Sequence, residues 1–144
     1  MIGHPGPSTR TAVRILVVAS TLVLSLLAGC ARHSNAEHYY LVAVNVNLPY
    51  WHTAFDGFKK AGEQYGVTTD LRGPGGFDPQ AEVEEFRHAL ALKPAGILVS
   101  VADSRLMGPE IDKAIAAGVP VITIDSDAPA SQRLYFIGTN NLVA

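Results

Sequence analysis

Short apolar runs alternate with helix-patterned segments along this chain, and that alternation limits the fold more than any other feature. The runs are YLVAV (40–44), VTTDL (67–71), GILV (96–99), VPVITI (119–124) and LYFIG (134–138). The first is apolar without interruption, as expected of a strand covered on both faces. Behind it, Trp51, Phe55, Phe58, Gly62 and Tyr65 recur at spacings of four, three, four and three, which places them on one helical face. Lys59, Lys60, Glu63 and Gln64 fall on the other side, and Gly66 suits a helix stop. Asp78-Pro79 reads as an N-cap followed by proline at the first helical position. Val83, Phe86 and Leu90 form that helix's apolar stripe, while Glu82, Glu84 and Glu85 lie where the helix dipole favours acids. A third helix is expected to start at Pro109, to face Ile111, Ala114 and Ile115 inward, and to end at Gly118. The order β-α-β-α-β-α-β-β predicts an α/β fold: a parallel sheet flanked by helices on both faces, joined by right-handed crossovers.

The N-terminus has a different character. Arg10 and Arg14 precede an apolar run at 15–27 that gives way to small residues, the layout of a secretory signal. The run is about 13 residues, against the roughly 20 that a membrane span needs. LAGC (27–30) resembles the lipobox of bacterial lipoproteins, and Cys30 is the sole cysteine, so no internal disulfide can form. The expectation is a lipoprotein signal peptide at 1–29, then a lipidated Cys30 and polar tether at 30–38. The mature protein would be exported to the cell envelope, in the periplasm or at the cell surface, and anchored to a membrane through Cys30. A net charge of -2 with no clustered basic face excludes nucleic acid as a partner.

In an open parallel sheet, ligands bind beyond the carboxyl ends of the strands. The residues in those positions are Asn45, Asn47, Tyr50 and Trp51, then Ser100, Asp103 and Ser104, then Asp125, Ser126 and Asp127, then Thr139, Asn140 and Asn141. Amides, hydroxyls, carboxylates and two aromatics suit a polyhydroxylated ligand: carboxylates accept from hydroxyls, and rings cover apolar C–H faces. The candidate ligand set is Asn47, Tyr50, Trp51, Ser100, Asp103, Asp125, Ser126 and Asn141. Some have equally good structural readings. Asp127 precedes Ala128-Pro129 and suits a turn, Asp103 suits a helix cap, and Trp51 shares its stripe with Phe55. No catalytic set emerges. Asp125-Ser126-Asp127 only superficially matches the Asp-x-Asp of phosphatases, and GPGG (73–76) lacks phosphate-loop spacing. His4, His33, His38, His52 and His88 show no metal-ligand spacing, and no serine sits in a G-x-S-x-G elbow. A binding protein without catalysis, cofactor or metal is expected.

From about residue 40 to 141 the chain resembles the periplasmic sugar-binding proteins of ABC transporters, in their ribose-binding-like (type I) group. The marks are NLPYW (47–51), AGILV (95–99) with Asp103-Ser104 beyond, AAGVPVI (116–122), DSD (125–127) and YFIGTNN (135–141). The resemblance implies two α/β lobes that close on a sugar, Tyr50 and Trp51 stacking on it and Asp125 binding its hydroxyls. It implies a solute-binding component that hands a monosaccharide to a membrane permease. An arginine often follows that aspartate in ribose binders and Ser126 stands here; Leu48 stands where an asparagine often precedes the proline. Both departures point away from ribose and leave a broader sugar reading. Family members need roughly twice the mature length, so residues 39–144 are expected to make an incomplete N-terminal lobe without its second lobe, binding sugar weakly or not at all. Alternatives are a sugar-sensing lobe for chemotaxis or signalling, a sugar-responsive transcriptional regulator, or a small flavodoxin-like enzyme.

Overall fold

The computed structural model describes residues 33–139. The expected signal peptide, Cys30, Asn140 and Asn141 lie outside the described residues. Five strands and three helices follow in the expected order: β1 (His38–Val42), α1 (Pro49–Tyr65), β2 (Thr68–Arg72), α2 (Pro79–Ala91), β3 (Gly96–Val99), α3 (Ser104–Ala116), β4 (Val121–Ile124) and β5 (Tyr135–Ile137). All strand pairings are parallel, in the order β2-β1-β3-β4-β5. The α/β class expected from the alternation is the one observed. The chain steps one way from β1 to β2 and the other way from β3 onward, so the order reverses between β1 and β3. That reversal opens a crevice above the carboxyl ends of the strands.

Strand alternation sorts the core. Tyr40, Val42, Ile97, Val99 and Val121 point to one face and pack with Val83 and Phe86 of α2 and with Met107, Ile111 and Ala114 of α3. Each fully buried side chain of this size stabilises by roughly 1.5–3 kcal/mol relative to an exposed one. The opposite face is served by α1, which lies against β2. That face is only partly covered: Leu98, Ile122 and Ile124 are half-buried, and all of β5 is exposed. The expected α1 stripe is diluted accordingly. Trp51 and Gly62 are buried, Phe55 and Phe58 are half-buried, and Tyr65 is exposed.

The helix ends follow local chemistry. Pro49 stands in the first turn of α1, and Gly66 closes it in the left-handed region (φ 69°), with the Gly66 and Val67 N–H groups donating to Glu63 and Gly62 carbonyls. Asp78 Oδ1 accepts from the Gln80 and Ala81 N–H groups at 3.0 Å each, which starts α2 as expected. Asp78→Ala should therefore lower stability by about 1 kcal/mol in a urea titration, and an unchanged midpoint would contradict the cap.

α3 corrects the sequence reading. It begins at Ser104, not at Pro109, because Asp103 caps it by accepting the Arg105 N–H at 2.8 Å. Pro109 is carried inside the helix, where its missing N–H leaves one backbone bond unmade. Glu82 is the other surprise. It stands in the first turn, where the helix dipole favours an acid, and it is fully buried.

Candidate functional site

Tyr50 and Asp125 stand 75 residues apart in sequence and meet above the sheet, where the Tyr50 hydroxyl donates to Asp125 Oδ1 at 3.1 Å. Tyr50 projects from the first turn of α1, and Asp125 follows β4 directly. Asp125 adopts a left-handed backbone (φ 64°), which turns the chain sharply off the strand. Its N–H donates to Ile137 O, so the turn is anchored to β5. Both side chains are exposed, Tyr50 by 58%. The carboxylate raises the Tyr50 phenol above its ordinary pKa, since the hydrogen bond favours the protonated ring. Among the described residues nothing bonds Asp125 Oδ2, which leaves an acceptor oxygen free on an exposed side chain.

The pair forms the mouth of a cavity of about 710 Å³, bounded by Trp51, Ala54 and Phe58 of α1, by Leu98, Ile124 and Ile137 of the sheet, and by Thr139. That volume suits a small molecule. Its floor is the apolar sheet face that α1 leaves open, and its polar groups gather at the rim. Asp125 is the one charged residue among those lining it. A smaller apolar cleft of about 220 Å³ continues past Phe58 and Leu98 toward Tyr39 and Tyr65. Among the described residues no group of three or more His, Cys, Asp or Glu could hold a metal ion.

The remaining candidates divide by what they touch. Trp51 is 2% exposed and meets the Tyr50 ring edge-on, centroids 4.9 Å apart. Trp51 is buried beneath Tyr50 and borders the cavity, so of the two rings expected to stack only Tyr50 is exposed. Asn47 Nδ2 donates to Gly75 O at 2.7 Å, tying the β1–α1 loop to the turn after β2. Ser100 is buried, and its Oγ has no partner among the described residues. Asp103 caps α3 and pairs with Arg105 at 3.2 Å, and that arginine holds its carboxyl below the ordinary range. Ser126 Oγ accepts the Val101 N–H at 3.0 Å, joining the loops that follow β3 and β4.

Asp127 is structural. Burial pushes its carboxyl up, but Arg133, Thr123 and the Ala128 N–H outweigh burial and hold it below the ordinary range. Arg133 reaches both of its oxygens, Nη2 to Oδ2 at 2.7 Å. The structure thus brings Tyr50, Trp51 and Asp125 together and uses Asn47, Asp103 and Ser126 to fix the loops around them. Sequence reasoning did not single out the floor residues Leu98, Ile124 and Ile137. Strand alternation in β4, which sets Ile122 and Ile124 on the face opposite Val121 and Thr123, is the signal that could have found Ile124.

Comparison with known proteins gives a consistent picture. The family described as periplasmic binding protein domain matches residues 39–144. A sugar ABC transporter sugar-binding protein from Bacillus halodurans is similar at 35% identity over 73% of this chain and 36% of its own, with a TM-score of 0.71. The arabinose-binding protein AraP from Geobacillus stearothermophilus matches at 34% identity over 74% of this chain and 37% of its own, TM-score 0.72. GanP, a glucose-galactose binding protein from the same organism, matches at 30% identity over 74% and 38%, TM-score 0.69. The chain therefore spans well under half the length of these solved proteins. No curated protein matches it.

Proposed function

The chain belongs to the periplasmic binding protein domain family, and on that premise we propose that it is the sugar-recognising lobe of the solute-binding component of an ABC-type importer. The Tyr50–Asp125 pair carries this reading: it presents a carboxylate and an aromatic face on the rim of a cavity of small-molecule size. Asp125 Oδ2 would accept from one or two ligand hydroxyls while Tyr50 fixes the other oxygen, and the Tyr50 ring would cover an apolar sugar face. Asp125 is the one charged group among the described lining residues, and a lone carboxylate favours a neutral monosaccharide over a phosphorylated or acidic one. Solved relatives that bind arabinose or glucose and galactose support the sugar class.

Function by this reading is binding and release, without chemistry. The ligand would favour a closed arrangement by its greater affinity for it, and the loaded protein would pass the sugar to a membrane permease. Residues 1–29 would direct export, and a lipidated Cys30 with the tether 30–38 would hold residues 39–144 at the envelope membrane. A palmitate label that appears on the wild-type chain in a bacterial host and disappears in Cys30→Ser would support the anchor.

The rim stands open to solvent, so binding by this chain should be weak, with Kd on the order of millimolar. Titrating arabinose, ribose, glucose or galactose should move the backbone resonances of Tyr50, Asp125, Ser126 and Thr139. Asp125→Ala should reduce that response by roughly tenfold or more, the loss of a charge-assisted bond. No resonance movement with any of these sugars would overturn the proposal.

A further inference from the structure

Glu82 occupies the first turn of α2, yet it is 0% exposed. Its Oε2 accepts the Ala102 N–H at 3.0 Å, in the loop between β3 and α3. Its Oε1 is sealed with no partner among the described residues, and so is Ser100 Oγ at the start of the same loop. Among the described residues no cation pairs with Glu82. The elements packed against α2 are β1, β2, β3 and α3, and their charged groups are engaged elsewhere. Arg72 pairs with Glu85 and sits over the Tyr40 ring, and Asp70 meets His38. Glu110 of α3 holds Arg87 and Lys113, Asp112 accepts the Gln132 N–H, and Asp103 holds Arg105. On α2 itself Asp78 caps the helix, His88 lies near Glu85, and Glu84 is exposed.

A carboxylate buried without a counter-charge is costly, and the neutral acid is the cheaper form. The loop that Glu82 holds bonds onward: the Val101 N–H donates to Ser126 Oγ, next to Asp125. We propose that Glu82 is a buried, proton-dependent latch that positions the binding rim, holding the β3–α3 loop through Ala102 and, by way of Val101 and Ser126, the turn that carries Asp125. Consistent with this geometry, burial raises the Glu82 carboxyl to about 7, against a smaller opposing effect of the Ala102 N–H. Ionisation near neutrality would place an uncompensated charge beneath the loop and loosen it. The effect on sugar binding rests on the function proposed above; the latch itself does not.

The test separates the two. Without sugar, amide exchange at Val101 and Ala102, corrected for intrinsic base catalysis, should accelerate about tenfold between about pH 5.5 and pH 8.5 in the wild-type chain. In Glu82→Gln, which keeps the acceptor for Ala102 and cannot ionise, it should change less than about twofold. The Glu82 carboxyl carbon resonance, which needs no variant, should titrate with a midpoint near 7. A midpoint near the ordinary 4.5, or a Glu82→Gln exchange profile matching wild type, would overturn the latch. With sugar added, the Asp125 response should fade over the same pH range in wild type and persist in Glu82→Gln. A missing sugar response at every pH counts against the sugar reading alone, because the exchange result stands without it.

Discussion

Gly73→Ala should cost the fold about 3–4 kcal/mol and lower Tm by on the order of 15 °C. Gly73 follows β2 with φ 148°, in the region that favours glycine. A Cβ placed there would lie 2.1 Å from Ala43 O and 3.0 Å from Val46 Cγ1. The obstacle is backbone at the end of β1, where the Ala43 N–H donates to Arg72 O, so neither strand can yield without breaking the ladder. The damage should reach the site. The next turn holds the β1–α1 loop through the Val46 N–H to Pro74 O and Asn47 Nδ2 to Gly75 O, and Tyr50 follows that loop. Thermal unfolding monitored by circular dichroism measures the effect directly, and a Tm within a few degrees of wild type would refute the close approach.

Stability should peak on the acid side of neutrality, near pH 5, because two buried glutamates pull in opposite directions. Glu110 is held at about 2, chiefly by Arg87, against burial and with help from Lys113. Its folded value lies below the ordinary 4.5, so its contribution is present above that pH and is lost as pH falls toward 2. Glu82 is raised from 4.5 to about 7. Its contribution is fullest below 4.5 and is lost as pH rises through 7. By linkage each limb amounts to about 2–3 kcal/mol, the Glu110 limb at the lower end because Arg87 is half exposed. Asp127, held below its ordinary range, steepens the acid limb. Urea midpoints from about pH 2 to pH 8 should trace a peak. Glu110→Gln should flatten the acid side and Glu82→Gln the neutral side. A profile level from pH 5 to pH 8 would contradict the second limb.

Much of this was legible from the chain because it is written in local chemistry. Apolar runs marked the strands, Asp78-Pro79 marked the start of α2, and Gly66 and Gly118 marked helix ends. Asp125 stood out as a candidate because it terminates an apolar strand at the end where open parallel sheets bind ligands. Part of what could not be read depended on residues distant in sequence. The burial of Glu82 is set by α3 and the Ala102 loop. The α3 start turned on weighing a proline against an aspartate cap, and both signals were present. Trp51 and Tyr50 are neighbours in sequence but lie about 100° apart around the helix. The turn that buries one exposes the other, and the stripe shared with Phe55 was one of two readings the sequence left open for Trp51. β5 read as an ordinary strand, yet its side chains are exposed because nothing among the described residues packs against its face.

The positive φ at Asp125 restricts which residues evolution or an engineer can place there. Aspartate, asparagine and glycine tolerate that backbone, whereas valine, isoleucine or threonine would carry a strain of roughly 1–2 kcal/mol before any solute arrived. Swapping Asp125 for Asn changes charge and keeps the turn; bulkier exchanges disturb both at once. Retuning the solute preference proposed for this rim is therefore better directed at Tyr50 and Thr139, whose backbones impose no such filter.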